Sequence, residues 1–131
     1  MIFIDTNIPM YLIGADQVLQ QGARSLIEDA VAGGDVLCTD AEVLQEILHR
    51  YVAIRRPEFI DPALDTLLGV VDVVYPIDRE DVERGRRILR TTDRLSARDA
   101  LHIAVMQHRD VDRVLTFDAA FDGIPGLTRI T

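Results

Sequence analysis

Lysine is absent from this sequence, so all 14 of its basic residues are arginine. Cysteine is nearly absent. Cys38 stands alone, can close no disulfide within the chain, has no CxxC partner, and lies in the apolar run Val36-Leu37-Cys38, the setting of a small buried residue rather than a reactive thiol. Such usage fits a reducing, cytoplasmic environment. Long hydrophobic runs are missing too: nothing approaches the ~20 apolar residues of a membrane span. The opening Met1-Ile2-Phe3-Ile4-Asp5 lacks the basic flank and apolar core of a signal peptide, so no membrane association is expected. No Pro/Gly/Ser-rich stretch is long enough for a linker, and residues 1–131 read as a single domain. A chain of this length buries roughly 65–70% of the surface its unfolded form exposes, enough to dispense with disulfides or a structural metal. GxSxG, a P-loop and a cysteine paired with histidine are all lacking, which excludes the common protein-nucleophile and P-loop chemistries.

Charge of positive sign is in deficit. A formal net charge of −8 opposes indiscriminate binding to nucleic acid, because phosphates are repelled at long range. Six arginines, Arg84, Arg86, Arg87, Arg90, Arg94 and Arg98, nevertheless crowd into one segment. Their planar forks suit phosphate oxygens, although such a run is equally the solvated face of a helix.

Short apolar runs alternate with helical periodicity. Ile2 to Asp5 reads as a buried strand, and Asp5-Thr6-Asn7 with Pro9 behind it as a strand-to-helix turn. Between Asp16 and Ala32, apolar residues recur at three- and four-residue intervals until Gly33-Gly34 stops them. Asp35 to Cys38 reads as the next strand, and Thr39-Asp40-Ala41-Glu42 as a capping box opening a helix to about Ile54, with Glu42 as the capping partner. A helix over about Pro62 to Val71, a strand within Val70 to Tyr75 and a helix from Asp78 or Arg79 follow. Ser96-Ala97-Arg98-Asp99 opens a helix so apolar that it belongs in the core. Arg113 to Phe117 and Thr128 to Ile130 complete the strands, with Gly123, Pro125 and Gly126 between them. This order predicts an α/β fold with a central, mostly parallel sheet of four to five strands covered on both faces.

Ligands of parallel sheets bind beyond the carboxyl ends of strands. Two predicted strands finish there with aspartate: Asp5, and Asp118 after Val114-Leu115-Thr116-Phe117. One such aspartate is ordinarily a cap or turn former; two at matching positions suggest a shared site. Glu46 borders the apolar arc Val43, Leu44, Ile47, Leu48 and Tyr51, as an ordinary boundary residue also would. Asp99 complements its helix's positive end, yet at the start of so buried a helix it needs a cation or hydrogen-bond donors to stay ionised. Carboxylate ligands suit Mg²⁺ or Mn²⁺, and no Cys/His cluster points to zinc. His49, His102 and His108 lack ligand-like spacing and read as packing or surface histidines.

Together, Ile2-Phe3-Ile4-Asp5-Thr6-Asn7, Ala41-Glu42-Val43-Leu44-Gln45-Glu46-Ile47-Leu48, Leu95-Ser96-Ala97-Arg98-Asp99-Ala100-Leu101-His102 and Leu115-Thr116-Phe117-Asp118 resemble the PIN-domain proteins, most closely the VapC-type toxins of toxin-antitoxin pairs. The resemblance implies a PIN-like three-layer α/β/α fold and a metal-dependent endoribonuclease. It makes Asp5, Glu46, Asp99 and Asp118 the acidic quartet for Mg²⁺ or Mn²⁺, with Asp5 and Asp99 the principal ligands. It places Thr6, Asn7 and Thr116 as polar residues supporting those carboxylates. Asp122 is read as shaping the loop before Gly123. A homodimer, an RNA substrate and a cognate antitoxin that blocks the acidic pocket are further implications. RNA would then approach over Arg84 to Arg98, or over Arg50, Arg55 and Arg56. Two rivals differ in class. Asp5-Thr6-Asn7 is similar to an aspartyl-nucleophile motif of phosphate hydrolases, but Asn7 stands where that motif has a second aspartate. A non-catalytic RNA-binding module would use the site for structural metal alone.

Overall fold

A strand covered on both faces needs a continuous apolar run instead of an alternation, and Ile2-Phe3-Ile4 is such a run: all three side chains are buried. The computed structural model describes residues 1–131 and places this strand, β1 (Ile2–Ile4), at the centre of a five-stranded sheet. The others are β2 (Leu37–Asp40), β3 (Val73–Tyr75), β4 (Arg113–Leu115) and β5 (Thr128–Ile130), in the order β3-β2-β1-β4-β5. Every pairing is parallel.

Six helices connect them: α1 (Asn7–Leu12), α2 (Gln17–Ala32), α3 (Ala41–Ala53), α4 (Ile60–Val70), α5 (Arg79–Thr91) and α6 (Ala97–His108). Right-handed crossovers running from β1 to β3 put α1 to α4 over one face, and the return to β4 puts α5 and α6 over the other. Single turns of 3₁₀ helix occupy Pro57–Phe59 and Ala119–Phe121. One core of 22 buried apolar residues holds the layers together. Phe3, Ile4, Ile8, Leu115 and Phe121 lie at its fully enclosed centre.

Several boundaries differ from the sequence reading, and two of them bear on the site: β4 stops at Leu115, short of Phe117, so that Asp118 lies three residues past the strand, and β2 is displaced. The second strand lies two residues further along than Asp35 to Cys38, so it ends on an aspartate, Asp40. Asp40, not Thr39, caps α3: its Oδ1 accepts from the Val43 N–H at 2.8 Å. The Thr39 hydroxyl is spent on the Ile4 carbonyl at 3.0 Å, tying β2 to β1. Glu42 therefore has no part in a capping box. The third strand begins only at Val73, because α4 runs on through Val70.

The order reverses at β1, which pairs with β2 on one side and β4 on the other. Such a switch point opens a crevice at the carboxyl ends of the two strands. Pairing of Ile4 with Leu115 sets Asp5 beside Thr116, and the Asp5 N–H donates to the Leu115 carbonyl at 3.1 Å.

Candidate metal and catalytic site

Asp5 sits at the base of that crevice, 5% exposed, and is held on several sides. Its Oδ2 accepts from the Thr116 hydroxyl at 2.7 Å and from the Asn7 amide at 3.4 Å; its Oδ1 accepts from the Thr6 N–H at 2.8 Å. Asn7 also donates to Thr116 Oγ1 at 2.9 Å and accepts from the Phe117 N–H at 3.3 Å. Asn7 and Thr116 thus lie against Asp5 as the sequence reading placed them. Thr6 contributes only its backbone, since its own hydroxyl is buried without a partner.

The other three carboxylates line a cleft of about 710 Å³ above Asp5. Glu46 comes from the second turn of α3 and Asp99 from the first turn of α6, where the Asp99 N–H donates to the capping Ser96 hydroxyl at 3.1 Å. Asp118 follows β4, and its Oδ1 accepts from the Ala120 N–H at 2.9 Å to cap the short 3₁₀ turn. His49, Arg50 and Arg98 complete the polar rim. Four acidic side chains from four separate segments thereby converge, and burial with the crowding of charge raises the carboxyls of Asp99 and Asp5. Burial, then the charges of Asp5 and Asp118, push the Asp99 carboxyl from 3.8 up to about 6, against the pull of His102 and Ser96. Asp5 is raised too, chiefly by burial and in part by Glu46, although His102, Thr116 and Thr6 oppose the rise.

His102 is the residue the sequence reading missed. It is completely buried, in the second turn of α6, and its Nδ1 lies 2.8 Å from Asp40 Oδ2. Its Nε2 faces Asp5 Oδ1 at 4.0 Å and has no hydrogen-bond partner. Burial alone would lower its pKa; Asp40, Asp5 and Glu46 reverse that and raise it to about 9. Ligand atoms of Asp5, Glu46 and His102 all come within 4.8 Å of one another, a grouping able to hold a metal ion. Convergent carboxylates and an orphaned buried nitrogen fit a divalent cation, whose charge would offset the acidic groups more fully than one imidazole can. The signal lay in spacing: His102 follows Asp99 by three residues and so shares its helix face. The strand-terminal Asp40 would have completed the pattern had β2 been read in register.

Other candidates separate. Glu42, set aside as a capping partner, lies 3.6 Å from Arg98 Nε, and burial pushes its carboxyl up. Arg98 also reaches Glu46 at 4.0 Å. Asp122 stays in its loop as expected, paired to Arg129 at 2.8 and 3.0 Å and held below the usual carboxylate range by that bond. The arginine run does not form one surface. Arg84 and Arg86 pair with Glu80 and Glu83 of their own helix. Arg94 donates to the Ala120 and Asp122 carbonyls, clamping the loop beside Asp118. Arg87 and Arg90 have no ion-pair partner, and Arg98 alone turns into the cleft. Arg55, at φ 59°, and Arg56, paired with Glu58 at 3.5 Å, lie beyond the end of α3 and do not line the cleft.

Comparison with known proteins places this geometry. Residues 2–127 match the family described as PIN domain. Ribonuclease VapC13 of Mycobacterium tuberculosis is 57% identical over 130 residues, covering 99% of each chain. Ribonuclease VapC23 of the same organism is 41% identical over 118 residues, 90% of this chain and 93% of its own. Among solved structures, Mycobacterium tuberculosis VapC20, described as a Sarcin-Ricin loop cleaving toxin, superimposes with a TM-score of 0.74 at 23% identity over 91% of each chain. VapBC2 from Rickettsia felis, bound to a DNA fragment from its promoter, gives a TM-score of 0.70 at 18% identity, over 99% of this chain and 98% of that one.

Proposed function

The chain belongs to the PIN domain family, and within it to the VapC ribonucleases, and from that premise we propose that it is the toxin of a toxin-antitoxin pair: an endoribonuclease that hydrolyses RNA phosphodiester bonds with Mg²⁺ or Mn²⁺. One observation carries the reading, the convergence of Glu46, Asp99 and Asp118 on a single cleft over the buried Asp5. Asp5 and Asp99 are the principal candidates to hold the cation, with Glu46 and Asp118 beside them. When bound, such a cation would polarise the phosphoryl group, lower the pKa of water and stabilise the leaving oxygen. The chain's own part is placement. Thr116, Asn7 and the Thr6 N–H fix both oxygens of Asp5, so that it need not reorganise when charge develops. Asp118, on the cleft wall beside them, would orient the attacking water.

Arg50 and Arg98 stand at the rim where the phosphates of a bound strand would pass. An acidic cleft also suits inhibition by a cognate antitoxin that inserts an arginine, since a guanidinium facing several carboxylates is tolerable where unpaired charge is not. A homodimer is the proposed assembly, supported by the exposed apolar side chains Val52, Ile54, Phe59 and Leu68. The setting is cytoplasmic; no helix is long and apolar enough to cross a membrane.

Cleavage of total cellular RNA by antitoxin-free protein is the test. Discrete fragments are expected with Mg²⁺ or Mn²⁺ and none with EDTA. Asp5→Asn should lower the rate about 100-fold or more while circular dichroism stays unchanged. Metal-independent cleavage, or full activity in that variant, would sink the reading.

A further inference from the structure

His102 carries more than packing. A buried imidazole normally satisfies both nitrogens, and here only Nδ1 is satisfied, by Asp40 Oδ2 at 2.8 Å. The other nitrogen is enclosed, unpartnered and directed at Asp5, and 4.0 Å is too long for a hydrogen bond. It is a reasonable separation for two ligands of one ion. Bonds of roughly 2.0–2.2 Å to His nitrogen and carboxylate oxygen place two ligand atoms of one cation at most about 4.3 Å apart. Asp40 is anchored in turn, because its Oδ1 caps α3 through the Val43 N–H at 2.8 Å. A carboxylate that accepts the Nδ1 proton leaves Nε2 as the nitrogen to face the site, and a cation binding there would displace the proton that Nε2 carries in the metal-free protein, the arrangement by which outer carboxylates orient metal-binding histidines.

We propose that His102 is a nitrogen ligand of the cation site, oriented by Asp40, and that with Asp5 and Glu46 it makes a mixed nitrogen-oxygen pocket preferring Mn²⁺ or Co²⁺ to Mg²⁺. The proposal rests on the metal-dependent reading above and sharpens it. Mg²⁺ seeks oxygen donors and keeps its waters, whereas imidazole is a better partner for the later divalent ions. An all-carboxylate site would show little such bias.

Pulsed electron paramagnetic resonance on Mn²⁺-loaded protein tests it directly. The sample is the full chain carrying His49→Gln, which removes the histidine lining the cleft, and His108→Gln, which removes the one beside Asp78 and Glu80, so that His102 is the sole histidine, either at natural abundance or ¹⁵N-labelled. Modulation from one directly bound imidazole nitrogen is expected, changing to the ¹⁵N pattern on labelling. Protein-bound Mn²⁺ without nitrogen coupling overturns the proposal and leaves the ribonuclease reading standing if RNA is still cleaved. Folded protein that binds no Mn²⁺ overturns the proposal, and if RNA cleavage then persists in EDTA the metal-dependent reading falls as well. Asp40→Asn supplies a second measurement. It retains the Oδ1 cap, but its amide donates to Nδ1 and drives the imidazole proton onto Nε2. Titration calorimetry should show Mn²⁺ affinity falling about 10- to 100-fold and Mg²⁺ affinity falling much less. Equal loss for both ions would mean that Asp40 acts only on the fold.

Discussion

Asp99 behaves as a carboxylic acid under strain from its neighbours, and its protonation gives the metal-free protein a characteristic pH dependence. Its folded-state value of about 6 lies above the ordinary 3.8, so the folded chain holds this proton more tightly than the unfolded one. The resulting stabilisation is full below pH 4 and is lost as pH rises through 6. In EDTA, Asp99→Asn should therefore be more stable than the parent at pH 7.5, by about 1–2 kcal/mol after allowance for solvent screening. The difference should vanish near pH 4, as followed by urea denaturation. Added Mn²⁺ should reverse the order at pH 7.5, because the parent gains a ligand that the variant holds poorly. A variant less stable than the parent at pH 7.5 without metal would show that Asp99 is not in mutual repulsion with Asp5. The site was only partly legible at this scale. Asp5 and Asp118 announced themselves by ending apolar runs, and Glu46 and Asp99 by helix position. His102 and Asp40 did not, since a histidine on an apolar helix and an aspartate before a helix both have ordinary explanations. Only the fold sets Asp40 opposite His102, 62 positions away.

Among the elements, α2 shows how capping and packing share the work of fixing a helix's position. Asp16 Oδ1 accepts from the Val18 and Leu19 N–H groups at 3.0 and 3.1 Å, so Asp16→Ala should cost about 1 kcal/mol. In the same helix Gly22 faces the Phe117 ring, and a methyl group there would meet Phe117 Cζ at 3.4 Å, an ordinary contact. Gly22→Ala should accordingly stabilise by about 0.5–1 kcal/mol. Urea midpoints of the two variants should move in opposite directions, and a destabilising Gly22→Ala would mean that Phe117 cannot yield. Element type was readable for the five strands and the five longer helices because period and punctuation agreed: Gly33-Gly34 closes α2, with Gly34 in the left-handed region at φ 76°, and Pro76 closes β3. The six residues of α1 are too few to show a period. Boundaries were less so. Thr39 and Asp40 are both good caps, and the choice fell to Asp40 because the Ile4 carbonyl claimed the Thr39 hydroxyl, a contact between strands that local sequence does not contain.

For the molecule as a whole, the difficulty is that a chain of net charge −8 must admit a polyanion. Local cations at the rim are the proposed answer, and salt dependence measures them. Replacing both Arg50 and Arg98 by Gln should reduce the slope of log affinity for a single-stranded RNA against log salt by about 1.4, for two lost phosphate contacts. Arg84→Gln with Arg86→Gln should leave the slope nearly unchanged, since those residues do not line the cleft. Equal effects from the two pairs, read by fluorescence anisotropy in the metal-free state, would argue for a diffuse field in place of a defined path.

The pairing of β1 with β4 brings together residues 111 positions apart, Asp5 and Thr116, and this has a consequence for how the protein is made. At ribosomal rates of about 5–20 residues per second, the first aspartate is synthesised roughly 5–20 s before the strand that supports it. Until then β1 lacks one neighbour, the crevice has one wall, and Asp118 does not yet exist. The nascent chain therefore cannot bring its four acidic side chains together until β4 and Asp118 have emerged, so the cleft is one of the last features of the molecule to form.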